Sequence, residues 1–189
     1  MTHNQGHLFI VSAPSGAGKT TLCRAVLDRY SDMFFSVSYT TRKPRKNERD
    51  GVHYNFISKD DFIKRTKSNK WAEWAEVHEN FYGTSSEFLD KGLADGKDIL
   101  LDIDVQGTIQ ILERYPDSVT IFIIPPSLET LKIRLKSRST DNKDAIAKRL
   151  LNAEKEMSKK DLYRHVIIND QLSTAVAELI SIIEKYRSG

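Results

Sequence analysis

Four short apolar runs punctuate the chain: His7–Ala13 (HLFIVSA), Asp98–Ile103 (DILLDI), Val119–Ile124 (VTIFII) and His165–Asn169 (HVIIN). They are rich in β-branched residues and too continuous to alternate between core and solvent, so each predicts a buried strand. Apolar residues at helical spacing follow the runs. Leu22, Val26 and Leu27 mark a helix over about Lys19–Tyr30, and Ile109 and Leu112 a second. Leu128, Leu131 and Leu135 mark a third, and Leu172, Val176, Leu179, Ile180 and Ile183 a last one. Strands alternating with helices at this spacing predict an α/β fold whose parallel sheet is covered by helices on both faces.

Two stretches break that rhythm. Residues 36–87 hold short aromatic-rich pieces around one amphipathic helix near Asp60–Lys67, and read as a small α+β insertion. Trp74 in that stretch is expected in the core. Residues 136–160 are polar and basic, yet Ile146, Leu150, Ala153 and Met157 recur at helical spacing, which predicts a helix pair or lid. The expected organisation is a single domain, with a core over 1–35, 88–135 and 161–189, an insertion over 36–87 and a lid over 136–160.

Composition narrows the class. With 189 residues, 39% hydrophobic, the chain can bury a real core, which excludes a disordered or collagen-like polymer. No apolar run approaches the roughly 18 residues of a membrane span. Met1–His7 lacks the charged and apolar regions of a secretory signal. The lone Cys23 gives neither a disulfide framework nor a cysteine metal site, and is expected on the inner face of its helix. A cytoplasmic protein is the expectation. The net charge of +3 demands no nucleic-acid partner, but the basic residues cluster, at Arg42, Lys43, Arg45 and Lys46 and at Lys132, Arg134, Lys136 and Arg138. Two clusters suggest two anionic groups to hold, or two patches on one polyanion.

The first run ends in Ala13-Pro14-Ser15-Gly16-Ala17-Gly18-Lys19-Thr20. This is the phosphate-loop pattern GxxxxGK[ST], with Ala13 at the first glycine. Gly16 and Gly18 let backbone N–H groups converge on phosphate oxygens, and the following helix turns its positive end to the same place. Lys19 supplies a charge for β- and γ-phosphates, and Thr20 a hydroxyl for Mg²⁺. The competing reading is a glycine-rich turn with a surface lysine. Asp102, near the end of the DILLDI run, is placed near that metal, directly or through water. Asp104 is either part of the same chemistry or the N-cap of the next helix.

Between Thr40 and Phe56, Arg42 and Arg45 flank Pro44, which stiffens the loop. Two guanidinium forks suit a phosphate monoester, and Tyr54 and Tyr82 add hydroxyls. Alone, the cluster reads equally well as a solvated basic loop, or as a nuclear-import or RNA-binding patch. Arg134 and Arg138, four apart, share a helix face, and Arg149 lies beside the Ile146/Leu150 stripe.

Thr41-Arg42, Arg45, Glu48, Gly51 and Tyr54-Asn55-Phe56 stand at the spacing of the guanylate kinase signature, and the phosphate loop, Leu101–Gly107 (LDIDVQG) and the arginine-rich lid follow in the family's order. Over essentially its whole length the chain resembles guanylate kinases, which are P-loop nucleoside monophosphate kinases. The resemblance implies transfer of a phosphoryl group from ATP to GMP, with Mg²⁺, giving ADP and GDP. It implies that Arg42, Arg45, Tyr54 and Tyr82 hold the GMP phosphate, and that Ser38, Glu73, Thr84 and Asp104 read guanine. Ala13–Thr20 would bind ATP, with Lys19, Arg134, Arg138 and Arg149 acting on the phosphates; only Asn169, at a strand end, is marked for the adenine side. The types make sense chemically. Guanine presents N1–H and an amine side by side, and one carboxylate accepts from both. Without the resemblance Glu73, between Trp71 and Trp74, reads as a surface carboxylate. Two rivals stand beside this reading: a non-catalytic module on the same scaffold, which the intact Gly16, Gly18, Lys19 and lid arginines disfavour, and a kinase of this fold for another small substrate.

Overall fold

In the computed structural model, residues 5–77, 79–137 and 143–188 are described. β1 (Leu8–Ser12) is buried at every position and turns through the glycine loop into α1 (Lys19–Arg29). After β2 (Phe34–Phe35) come β3 (Tyr39–Thr40), β4 (Asn55–Phe56), α2 (Lys59–Lys67), β5 (Trp71–Val77) and β6 (Asn80–Ser85). α3 (Ser86–Ala94) leads to β7 (Ile99–Asp102), α4 (Val105–Arg114), β8 (Val119–Ile124) and α5 (Leu128–Ser137). α6 (Lys143–Met157), a 3-10 turn at Lys160–Leu162, β9 (His165–Ile168) and α7 (Leu172–Arg187) complete the described chain.

The large sheet runs β2-β7-β1-β8-β9 with every pair parallel. Its strands feed two cores, as the continuous apolar runs require. Phe9 and Val11 meet Leu22, Val26, Leu179 and Ile183 on one face. Leu8 and Ile10 meet Leu89, Leu93 and Ile111 on the other. Each such side chain contributes about 1.5–3 kcal/mol by leaving water. Because β1 has its sequence-distant neighbours β7 and β8 on opposite sides, a crevice opens past its C-terminal end, where this kind of sheet binds ligands. The expected strands and helices agree with these elements to within a residue or so at the ends.

Two elements were not anticipated. β2 is only two residues long and pairs with β7. α3 starts directly from β6, with the Ser85 hydroxyl capping the Phe88 N–H at 3.3 Å and Leu89 and Leu93 turned inward. No glycine or proline punctuates that junction.

The small sheet runs β4-β3-β6-β5; β3 and β4 are parallel, the other pairs antiparallel. Phe62 of α2 stacks on Trp71 at 4.4 Å and on Phe81 at 5.2 Å, forming the insertion's own core. Trp74, expected in the core, is 39% exposed and only touches this cluster edge-on. α6 packs Ile146, Leu150 and Ala153 against Leu131 and Leu135 of α5, so the apolar spacing read in 136–160 belongs to one helix, α6, and its packing partner α5 lies almost wholly before that stretch. No described helix is long and apolar enough to cross a membrane.

Candidate active site

The loop after β1 depends on two backbone conformations that favour glycine, Gly16 at φ +94° and Gly18 at φ +99°. A Cβ on Gly18 would also lie 2.4 Å from the side-chain nitrogen of Asn169. That amide donates to the Ala17 carbonyl at 2.7 Å in a buried contact, so Asn169 braces the loop from the end of β9. Ala17 is itself fully buried beneath the loop. The rest borders a cavity of about 310 Å³, from Ala13 and Pro14 round to Lys19, Thr20 and Thr21. Lys19 is ion-paired with Asp102 and donates to the Ile103 carbonyl at 3.3 Å. Burial works against its charge, but the Asp102 carboxylate holds the Lys19 pKa above the ordinary lysine value. Glu156 of α6 faces the same cavity, its carboxyl pushed up by burial and by the charge of Asp104.

A second cavity, about 330 Å³, begins at Lys19 and Asp102 and extends between the core and the small sheet. It is lined by Ser38, Tyr54, Glu73, Tyr82 and Asp104. Glu73 points inward because the β5–β6 register shifts between Trp71 and Glu73; a bulge of this kind re-aims side chains. Three consecutive residues, Trp71, Ala72 and Glu73, are buried as a result. The Thr84 hydroxyl donates to Glu73 Oε1 at 2.6 Å. Burial pushes the Glu73 carboxyl up to about 7, the Thr84 hydrogen bond working against this and the Asp104 charge adding to it. Thr84 thus spends its only proton orienting Glu73. Asp104 caps α4, accepting from the Gly107 N–H at 2.8 Å, and also borders the cavity.

Beyond the tyrosines, both terminal nitrogens of Arg42 donate to Glu48 at 2.9 Å, and the Arg45 N–H donates to Glu48 at 2.7 Å. These contacts, Arg42 foremost, hold the Glu48 carboxyl down to about 2. Arg42 also lies over the Tyr54 ring at 5.4 Å, and Tyr54 meets Tyr82 edge-on at 5.9 Å. The guanidinium is therefore held beside the two tyrosines. The Arg45 side chain is exposed. On the other side of the phosphate loop, a groove of about 280 Å³ is lined by Gly16, Gly18, Thr21, Arg134, Asn169 and Leu172. Arg134 donates to the Asn169 carbonyl at 2.9 Å, so it borders this groove instead of the cavity at Lys19. Arg149 is half-buried on α6; Arg138 lies outside the described residues.

A family model described as guanylate kinase matches residues 5–186. The chain belongs to the guanylate kinase family. The guanylate kinase of Geobacter sulfurreducens is 49% identical over 179 residues, 95% of this chain and 88% of that protein. That of Caldanaerobacter subterraneus is 42% identical over 179 residues, 95% and 87% of the two chains. The crystal structure of guanylate kinase from Anaplasma phagocytophilum superposes with a TM-score of 0.75 at 30% identity, covering 97% of this chain and 87% of that one.

For a guanylate kinase the arrangement contains residues that sequence reasoning left without a role. Glu48 was noticed only as a letter of the signature. Glu156 had no local signal. Thr21 and Leu172 join Asn169 and Arg134 only through the fold. Cys23 is buried and its thiol is pushed up to about 12, chiefly by burial, so it is no nucleophile. Among the described residues no group of three or more His, Cys, Asp or Glu could hold a metal. The Thr20 hydroxyl and the Asp102 carboxylate are hard oxygen donors, and few in number, which fits Mg²⁺ that keeps waters and binds mainly through nucleotide phosphates.

Proposed function

We propose that this chain transfers the γ-phosphoryl group of ATP to GMP, giving ADP and GDP, and does so in the cytoplasm. The observation that carries the reading is the shared boundary of two cavities. Lys19 borders the phosphate-loop cavity and also the cavity that ends at the buried Glu73 carboxylate. A nucleoside triphosphate in one and a nucleoside monophosphate in the other meet at that lysine.

In this reading, guanine enters between Glu73, Asp104 and Ser38. Its N1–H and 2-amine donate to Glu73, which Thr84 holds in place. Adenine presents a lone pair at N1, and a site whose buried acceptor is left unpaired rejects it by ~10⁴ or more. The GMP phosphate lies against Arg42, Arg45, Tyr54 and Tyr82, Glu48 fixing the first guanidinium. The ATP phosphates lie in the glycine loop with Lys19 on the β- and γ-groups, and the adenosine end extends along the groove at Asn169 and Arg134. Thr20 and Asp102 would hold Mg²⁺, which would supply neutralisation of the phosphate charge. Transfer needs positioning and charge stabilisation more than covalent help. Arg138 and Arg149 act when the lid closes over the phosphates, and one arginine at the transferring group is worth ~10³–10⁵ in rate. A coupled assay offering GMP, AMP, UMP and CMP with ATP tests the proposal. Turnover with GMP alone is expected; equal turnover with another monophosphate, or none with any, refutes it.

A further inference from the structure

We infer that Gln110 is a positioning residue for base recognition, holding the Glu73 strand in register on α4. The inference rests on the guanine reading above. β5 is an edge strand of the small sheet, so its outer backbone groups face no further strand. The Gln110 side chain takes two of them. Its Oε1 accepts from the Trp74 N–H and its Nε2 donates to the Trp74 carbonyl, each at 3.1 Å. Both backbone groups of the residue after Glu73 are thereby tied to one amide, immediately past the bulge.

The same face of α4 carries two more features at three-residue spacing. Asp104, the N-cap, borders the base cavity. Gly107 leaves room for the carboxylate: a Cβ there would lie 3.1 Å from Glu73 Oε2. Asp104 belongs to the core and Glu73 to the small sheet, and Gln110 is a direct hydrogen-bonded link between the two. It touches no substrate; it sets the distance between the two carboxylates that do. Arg114 and Glu113, which share the neighbouring cavity with Gln110 and Trp74, supply no equivalent contact to the Trp74 backbone.

Gln110→Met keeps the length and removes both hydrogen bonds, while Gln110→Glu keeps the acceptor for the Trp74 N–H. Steady-state constants for GMP, IMP and ATP are measured for both variants beside Glu73→Gln, with thermal melting to confirm folding. Two exposed hydrogen bonds predict that Gln110→Met raises the GMP KM about 10-fold. The preference for GMP over IMP, which lacks the 2-amine, narrows. kcat and the ATP KM stay within about twofold, and Gln110→Glu recovers part of the loss. A GMP KM and GMP/IMP ratio unchanged in both Gln110 variants, while Glu73→Gln loses GMP selectively, overturns the inference alone. Equal losses for both nucleotides also overturn it, since they signal general loosening. No selective loss in Glu73→Gln overturns the guanine reading, and the clasp then has nothing to position.

Discussion

Acidification is the most discriminating perturbation of this site, because burial raises the carboxyl that the proposed function assigns to guanine toward neutrality. Glu73 is 7% exposed, and burial raises its carboxyl to about 7. At pH 8 about nine in ten Glu73 side chains are ionised, and at pH 6 about one in ten. Only the ionised form accepts from both guanine donors, so kcat/KM for GMP falls about tenfold over that interval. The GMP phosphate also titrates, near ~6, and Glu73→Gln separates the two: it removes the carboxyl and leaves the phosphate. Glu73→Gln itself lowers kcat/KM for GMP by about 10- to 100-fold at pH 8, the range for losing a hydrogen bond to a charged group, with ATP affinity little changed. The same carboxyl affects stability. Its pKa in the folded chain lies above the unfolded value of 4.5, so the folded state binds the proton more tightly. The contribution of Glu73 to stability is full below pH 4.5 and is lost as pH rises through 7, about 3 kcal/mol once Glu73 is ionised. Glu73→Gln is therefore more stable than the parent at pH 8 by up to that amount, and no more stable at pH 4.5. Rate profiles for GMP with the two proteins, and melting at the two pH values, check both arms. A parent profile no steeper than that of Glu73→Gln refutes the reasoning.

Lys19→Ala abolishes phosphoryl transfer while the protein still folds; steady-state rates within a few-fold of the parent remove Lys19 from the reaction. Arg42→Lys raises the GMP KM, because a planar fork locked by Glu48 becomes a point charge; an unchanged KM takes Arg42 out of the phosphate site. Asn169→Ala leaves the buried Ala17 carbonyl unpaired and costs about 1–3 kcal/mol in thermal unfolding, with a raised ATP KM. If that variant melts like the parent, Asn169 does not brace the loop.

What could be read from the chain followed how local each cause is. The phosphate loop was legible because Gly16 and Gly18 answer a backbone need within one turn. The five-stranded sheet was legible because strands buried on both faces are written as unbroken apolar runs. Trp74 was misplaced for a physical reason: the register shift beside Glu73 breaks alternation, turning a carboxylate inward and leaving an indole outside. α3 was missed because a serine cap, with no glycine or proline, ends β6. Glu48 and Arg42 are close in sequence, but nothing in the letters says that one carboxylate holds the guanidinium. Arg134, 35 positions from the Asn169 carbonyl it bonds, and Gln110, 36 from Trp74, acquire their partners only when separate layers come together.

A crystal structure with GMP and a non-hydrolysable ATP analogue bound together puts the central claim to its most direct test. The account predicts N1 and the 2-amine of guanine within about 3 Å of the Glu73 carboxylate, the monophosphate against Arg42 and the tyrosines, and the terminal phosphate of the analogue at Lys19, facing it. A purine with that edge turned to solvent, or two phosphate chains held in separate places, would contradict it.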